Sequence, residues 1–153
     1  MFESEREMQN KFVELISNQI NTFVFEEVGN MDSHFRIDVV KYVNRKIIAY
    51  ELKLKDYKKA FNQAWKLRSN KLVNKSYVVL PEDYYRKNKE KILHFRNLYY
   101  KNIGILTIDK EKIRNIKKAE EYIFESIFDS NVVRDLIIKG FHKNGINKRK
   151  SYR

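Results

Sequence analysis

The chain has no cysteine and only one proline, and its acidic residues are few beside its basic ones. The lack of cysteine excludes a disulfide framework and a thiolate metal site. No run is long and apolar enough to cross a membrane, and the acidic start, with Glu3 and Glu5, is unlike a basic secretory signal. We therefore expect an intracellular, cytoplasmic protein with no membrane partner.

The surplus of positive charge is the strongest compositional signal. There are 32 lysines and arginines against 20 acids, so the formal net charge is +12. Such a surplus favours a polyanionic partner, because each cation that meets a phosphate releases counterions. We expect DNA, and nothing in the composition excludes RNA. A basic surface kept for solubility is the alternative.

Periodicity predicts an α/β fold with the element order α-β-β-β-α-β-α-β-α-α, a central mixed sheet flanked by helices. Helices are expected at 4–20, 56–72, 82–100, 111–128 and 130–141, and strands at 22–25, 34–42, 46–54, 76–80 and 103–108. Asn44 and Arg45 are typical of a short hairpin turn between the second and third strands. We expect residues 1–128 to form one domain and residues 129–153 to form a C-terminal helix and a basic, disordered tail.

Charged residues within two neighbouring apolar strands are the most informative motif. Alternate residues of a strand share a face, so Glu51 and Lys53 point the same way. On the preceding strand Asp38 interrupts an apolar run, and a buried carboxylate needs a metal, a cation or hydrogen bonds to compensate it. A salt bridge to Arg36, Arg45 or Lys53 is one possibility. The other is a hard divalent cation beside a charge-stabilising lysine, which is the chemistry of phosphodiester cleavage.

An acid on one strand followed by acid-x-lysine on the next resembles the motif of the PD-(D/E)XK nuclease superfamily, which has the restriction-endonuclease-like fold. Asp38 matches the first acid, Glu51 the second and Lys53 the lysine. The order of elements through residue 80 is similar to the α-β-β-β-α-β core of that family. The resemblance is greatest to small phage and mobile-element members, and it implies a Mg²⁺-dependent DNA endonuclease in which Mn²⁺ can substitute.

Two other residues match positions of the same superfamily. Glu5 is similar to an early glutamate in the first helix of archaeal Holliday-junction resolvases, and Gln63 matches a glutamine on the helix after the lysine. The tyrosine that RecB-like nucleases carry one turn beyond that glutamine is absent, with Leu67 in its place. An endonuclease is therefore expected rather than an exonuclease of the RecB type.

The resemblance also implies a role for each matched residue. The metal ligands would be Asp38, Glu51, the carbonyl of Leu52 and Glu5. Lys53 would orient the attacking water or stabilise the developing charge. Gln63 would position the phosphate or the strand; alternatively, its amide only bonds to water.

Basic residues beyond the motif form two groups. The first follows the motif into the next helix, with Asp56 as the only acid nearby, and consists of Lys55, Lys58, Lys59, Lys66 and Arg68. This flank can follow a phosphate backbone, or it is simply a solvated helix face. The second group, Lys148, Arg149 and Lys150, lies in the predicted tail and would bind phosphates without reading bases.

Three functions from different classes remain open on the sequence alone. The first is a metal-dependent deoxyribonuclease. The second is a non-catalytic nucleic-acid-binding module that retains the nuclease fold. The third is an interaction domain in which Asp38, Glu51 and Lys53 pair with one another. The intact acid-x-lysine favours the first over the second, because a binding module does not need all three residues. A homodimer would bring two sites to the two strands of a duplex.

Overall fold

A computed structural model describes residues 1–30, 35–123 and 146–147, and it is of the α/β class. The helices are α1 (Glu5–Ile16), α2 (Tyr57–Ser69) and α3 (Glu82–Tyr99). The strands are β1 (Phe23–Asn30), β2 (Phe35–Val43), β3 (Lys46–Leu52), β4 (Lys75–Pro81), β5 (Gly104–Ile108), β6 (Ile113–Lys117) and β7 (Ile146–Asn147). The order through β4 is α-β-β-β-α-β, as the sequence predicts. Within the described residues, no helix is long and apolar enough to cross a membrane.

All the strands belong to one mixed sheet in the order β6-β5-β4-β3-β2-β1-β7. β1, β2 and β3 are antiparallel neighbours, β3, β4 and β5 run parallel, and β6 and β7 add antiparallel edges. Parallel neighbours need a crossover, and α2 and α3 supply the two that are required. The predicted mixed sheet flanked by helices is therefore confirmed.

The helices cover opposite faces of the sheet. Met8 and Phe12 of α1 are fully buried in a cluster with Val39 of β2. On the other face Ala60 and Ala64 of α2 are fully buried against the central strands. These two alanines lie one turn apart, so their small side chains let the helix approach the sheet closely. Polar residues of α1 and α2 can therefore meet only where the sheet ends.

The hairpin between β2 and β3 sets the register of the central strands. Its turn residues Asn44 and Arg45 have φ of 51° and 64°, the left-handed geometry that suits a two-residue hairpin turn. The ladder then runs from Val43 opposite Lys46 to Val39 opposite Tyr50. The predicted two-residue turn is thus confirmed.

Two of the predicted boundaries near the N terminus are wrong. The first helix ends at Ile16 rather than near residue 20, and Ile20 is 65% exposed. β1 runs to Asn30, well beyond the predicted end at residue 25. β1 therefore includes Gly29. A Cβ at this glycine would collide with the carbonyl oxygen of Phe35, so the close approach of β1 and β2 requires glycine there.

The predicted helix over 111–128 is also wrong over its described residues, 111–123. The Asp109 carboxylate accepts hydrogen bonds from the backbone N–H groups of Glu111 at 2.8 Å and Lys112 at 2.9 Å, which turns the chain back on itself. The following residues pair with β5 as the antiparallel strand β6. The spacing of Ile113 and Ile116 is typical of one face of a helix. These residues form a strand instead, because the edge of β5 offers their backbone hydrogen-bond partners.

The C-terminal predictions fall mostly outside the described residues. This applies to the helix at 130–141, to the domain boundary at 128 and to Lys148, Arg149 and Lys150. Ile146 and Asn147 are described, and they pair with Val24 and Phe23 of β1. The prediction of a disordered tail is therefore wrong at these two residues, because the edge of β1 gives them backbone partners.

Candidate active site

The site begins where β2 and β3 stop pairing. Asp38 and Glu51 stand opposite each other one step beyond the last paired residues, Val39 and Tyr50. The Asp38 Oδ2 atom accepts a hydrogen bond of 2.9 Å from the backbone N–H of Leu52. This side chain replaces a ladder partner, so the two strands separate without leaving that N–H unpaired. The gap brings both acids to the end of the sheet.

The two carboxylates lie together, with Glu51 buried and Asp38 partly buried. Glu51 is only 3% exposed, and its Oε1 is buried without a hydrogen-bond partner. Burial, reinforced by the charge of Asp38, raises the pKa of Glu51 to about 9. Burial also raises the pKa of Asp38, although the N–H of Leu52 partly opposes this shift. Near neutral pH the pair therefore retains a proton between its two side chains.

Lys53 lies beside this pair. Its side chain is 19% exposed, and its positive charge acts to lower the pKa of both Asp38 and Glu51. Its Nζ lies 4.0 Å from Oε1 of Glu5. Its backbone N–H donates to the carbonyl of Val79 at 3.2 Å, so the chain after β3 remains fixed to β4. The ammonium is thus held between the buried acids and an exposed carboxylate.

The cap of α1 sets the position of Glu5. Ser4 is the N-cap, and its hydroxyl accepts a hydrogen bond of 3.0 Å from the N–H of Glu7. The carboxylate of Glu7 reaches back to the N–H of Glu3 at 3.0 Å. These bonds fix the first turn of α1 next to the ends of β2 and β3. Glu5 lies in that turn.

All five predicted catalytic side chains line one cleft of about 360 Å³. They are Glu5, Asp38, Glu51, Lys53 and Gln63. Gln63 enters from α2, on the opposite face of the sheet from Glu5, and its Oε1 is buried without a partner. The structure therefore brings the motif residues and both helix residues together. Their chemical roles stay predictions.

Four further residues line the cleft and were not singled out by the motif. They are Arg6, Gln9, Glu27 and Arg36. Glu27 has φ of 52°, an uncommon conformation for a residue with a side chain. The register of β1 and β2 omits Glu27 and Asp38, which stand opposite each other at the interruption. The sequence gives no clear sign of the left-handed conformation at Glu27, because residues with a positive φ are more often glycine or asparagine.

Glu27 gathers the other three residues around its carboxylate. Arg36 donates from Nε to Oε2 at 2.7 Å and also bonds the same oxygen through a terminal nitrogen. A terminal nitrogen of Arg6 lies 3.7 Å from Oε1, to which Gln9 donates at 3.3 Å. Arg36 was one of the expected partners of Asp38. It pairs with Glu27 instead, while Arg45 lies in the turn at the other end of the hairpin.

The donor set at this site consists of oxygen atoms. Among the described residues, no group of three or more histidine, aspartate or glutamate side chains could hold a metal. Glu5 lines the same cleft, and its role as a metal ligand stays a prediction. Two carboxylates do fit a hard divalent cation that keeps several water ligands. Oε1 of Glu51 is buried without a hydrogen-bond partner, and burial raises the pKa of this carboxyl although Lys53 acts to lower it.

The basic residues on and just before α2 divide into two kinds. Four of those predicted to bind nucleic acid are exposed: Lys55, Lys58, Lys59 and Lys66. Arg68 is different, because its side chain is only 15% exposed and lies 3.6 Å from Oε1 of Glu120. It also donates to the backbone carbonyl of Glu120 at 3.4 Å. Arg68 therefore anchors the segment after β6.

Comparisons with known proteins bear on the fold alone. The chain matches no family model and no curated protein. Among solved structures it is similar to the SPO1766 protein of unknown function from Silicibacter pomeroyi, with a TM-score of 0.57 and 13% sequence identity. The match covers 78% of this chain and 73% of that one. At this identity the likeness shows a common arrangement of helices and strands and does not extend to activity.

Proposed function

We propose that this chain is a metal-dependent endonuclease that hydrolyses phosphodiester bonds of DNA, with the restriction-endonuclease-like fold of the PD-(D/E)XK superfamily. The observation that carries the proposal is the pair of acids where β2 and β3 separate, the buried Glu51 and the partly buried Asp38. Placing two acids together inside a protein opposes folding, so a functional reason for both is favoured. The α-β-β-β-α-β order and the net charge of +12 support the same proposal.

Mg²⁺ is the cation that this oxygen-only site suits, and Mn²⁺ can take its place. Asp38, Glu51 and the backbone carbonyl of Leu52 would hold it, and Glu5 would act through water. When bound, the ion polarises the scissile phosphate and lowers the pKa of the attacking water.

Lys53 is the residue best suited to stabilise charge in the reaction. Its ammonium is mostly buried, where a hydrogen bond to an anion is stronger than in bulk water. It can donate to the attacking water or to a phosphate oxygen on which negative charge develops. Glu5 limits the movement of the ammonium from the solvent side. The buried amide oxygen of Gln63 can accept a hydrogen bond from water in the cleft.

One flank of α2 would lead the DNA backbone to the cleft. Lys59, Gln63 and Lys66 recur at the spacing that places residues on one side of a helix. Gln63 lines the cleft, and both lysines are exposed. Lys55 is also exposed and lies close in sequence to the motif. Contacts of these lysines with phosphates would orient the strand without reading its sequence.

The direct test is cleavage of supercoiled, linear, branched and single-stranded DNA in Mg²⁺, Mn²⁺ or EDTA. We expect cleavage in either metal and none in EDTA. Glu51→Gln should remain folded and be inactive. Glu14→Gln is the matched control, because Glu14 lies on α1 with 67% of its side chain exposed and pairs only with Lys11 among the described ion pairs. Activity in Glu51→Gln would contradict the proposal. A wild-type chain that binds DNA but cuts no substrate in either metal would favour the non-catalytic binding module.

A further inference from the structure

The mouth of the cleft holds two arginines that the catalytic proposal does not use. Arg6 comes from α1 and Arg36 from β2, and their side chains are 61% and 70% exposed. Both approach the carboxylate of Glu27, one at each oxygen. The cleft that they border also contains Asp38, Glu51 and Lys53. Two guanidinium groups therefore lie at the entrance of the candidate active site.

The carboxylate that holds them is unusually well fixed. Glu27 is the only described residue within a strand that has a positive φ. Phe25 and Val28 lie three residues apart yet pack in the same cluster, so the backbone at Glu27 shifts the alternation of side chains along β1. Gln9, which is 6% exposed, donates to Glu27 at 3.3 Å and to Glu26 at 3.1 Å. A buried amide and a strained backbone thus hold the acid in place.

Fold stability is a weak explanation for this arrangement. Ion pairs as exposed as those of Arg6 and Arg36 contribute little to stability in water. Strained backbone at a residue with a side chain opposes folding, and it is typical of functional sites. The cluster is better explained as a device that holds guanidinium groups in a set position next to the reacting groups.

The guanidinium groups retain free hydrogen-bonding capacity. A guanidinium has five N–H donors in a planar fork, and the pairing with Glu27 uses one edge of Arg36. The side chain of Arg6 is 61% exposed, and its terminal nitrogen lies 3.7 Å from Glu27, so most of its N–H donors face solvent. Phosphate oxygens are the acceptors that match this fork, through pairs of parallel charge-assisted bonds. A phosphate at the mouth would meet donors from two elements at once.

We propose that Arg6 and Arg36 form a binding site for a backbone phosphodiester of the nucleic-acid substrate, adjacent to the bond that is cut, with Glu27 and Gln9 as positioning residues. This deepens the proposed nuclease function and rests on it for the identity of the ligand. DNA and RNA share the phosphodiester group, so the test includes both.

Binding without cleavage tests this site independently of catalysis. Fluorescence anisotropy in EDTA would measure the affinity for a short DNA duplex and an RNA duplex of the same sequence over a series of NaCl concentrations. Arg36→Gln and Arg6→Gln should each weaken binding several-fold and lower the slope of log Kd against log salt by about one. The double variant should lower it by about two. Arg36→Lys should leave the slope of log Kd against log salt unchanged, because the charge is kept. It should bind more weakly, because an ammonium lacks the planar N–H donors of a guanidinium.

Arg45→Gln is the matched control. It makes the same change of charge in the same hairpin, but at the exposed turn far from the cleft. Slopes of the Arg6 and Arg36 variants equal to that of Arg45→Gln would overturn the phosphate site, as would a wild-type chain without affinity for either duplex. Thermal melting would check folding. If Arg36→Gln unfolds, Arg6→Gln on the surface of α1 decides the question.

The experiments distinguish a failure of the phosphate-site proposal from a failure of the nuclease proposal. An active wild-type enzyme whose Arg6 and Arg36 variants bind like the control would reject the phosphate site and keep the nuclease. Arginine-dependent binding in a chain that never cleaves would keep the phosphate site and reject the nuclease. Binding that depends on the arginines for RNA but not DNA would keep the site and change the substrate.

Discussion

Asp38 accepts a hydrogen bond of 2.9 Å from the backbone N–H of Leu52, just past the last paired residues of β2 and β3. The same side chain is hydrogen-bonded to Glu51. One aspartate thus supports the separation of two strands and also supplies half of the buried acid pair. Its structural role depends on an oxygen acceptor, whereas its proposed catalytic role depends on negative charge. Substitutions can therefore separate the two.

Asp38→Asn and Asp38→Ala should differ in stability but not in activity. Asparagine keeps an oxygen that can accept from Leu52 and removes the charge beside Glu51, so the fold should be as stable as wild type or more so. Alanine leaves a partly buried N–H unpaired, which costs about 1–3 kcal/mol. Both should lack cleavage, because neither binds a divalent cation. Urea denaturation and a cleavage assay make the comparison; equal stability of the two variants would show that the Leu52 bond does not support the fold.

The buried carboxyl of Glu51 should make the metal-free protein less stable as pH rises. Its pKa is about 9 in the folded chain against an ordinary value of 4.5, so between these values the folded state holds a proton that the unfolded state has lost. Stability then falls as pH increases through this window, by at most about 1.4 kcal/mol per pH unit. Glu51→Gln cannot titrate and should flatten the dependence. Urea denaturation in EDTA from pH 6 to 9 tests this prediction; the same slope in both proteins would contradict it.

A cation that binds the acid pair should release protons. Burial raises the pKa of both Asp38 and Glu51. The charge of Glu27 adds to the shift at Asp38, and the charge of Asp38 adds to the shift at Glu51. Metal binding needs the carboxylate form, so affinity should increase with pH and fall in acid. Calorimetry of Mg²⁺ binding in buffers of different ionisation enthalpy would report the proton release. Binding heats that do not depend on the buffer would show that the ion binds elsewhere.

The central part of the site could be predicted from the sequence because it depends on local geometry. Asn44 and Arg45 define a two-residue turn, and counting outward from that turn places Asp38 opposite Glu51. Gln63, by contrast, was predicted only through the resemblance to the nuclease superfamily, which carries a glutamine on the helix after the lysine.

The outer part of the site depends on contacts between distant segments. The left-handed backbone of Glu27 has no signature in its own residue type, and it places that carboxylate beside Arg36 and Gln9 only after β1, β2 and α1 have packed. The prediction of a helix over 111–128 is wrong over its described residues for a similar reason. The edge of β5 supplied backbone partners that outweighed the helical spacing of Ile113 and Ile116.

The C-terminal tail can be tested in two steps because β7 pairs with β1. Deleting residues 148–153 removes Lys148, Arg149 and Lys150 but leaves β7. We expect weaker DNA binding, a smaller salt dependence by about one unit of slope per lost phosphate contact, and unchanged thermal stability. Deleting residues 143–153 also uncovers the edge of β1 and should lower the melting temperature. An unchanged salt slope after the shorter deletion would show that the tail does not contact DNA.

The last prediction separates the role of Lys53 from that of the acids. Lys53→Met keeps the aliphatic part of the side chain and removes the charge, so metal should still bind to Asp38 and Glu51. Cleavage should be lost, because the ammonium group that stabilises the charge developing on the phosphate is absent even when the metal is bound. The pKa of Glu51 should rise further, since the charge of Lys53 acts to lower it. Lys89→Met is the control, because Lys89 is exposed on α3 and does not line the cleft. Cleavage assays and Mg²⁺ calorimetry on both variants make the comparison. A folded Lys53→Met protein that cleaves as fast as Lys89→Met would assign no chemical role to Lys53.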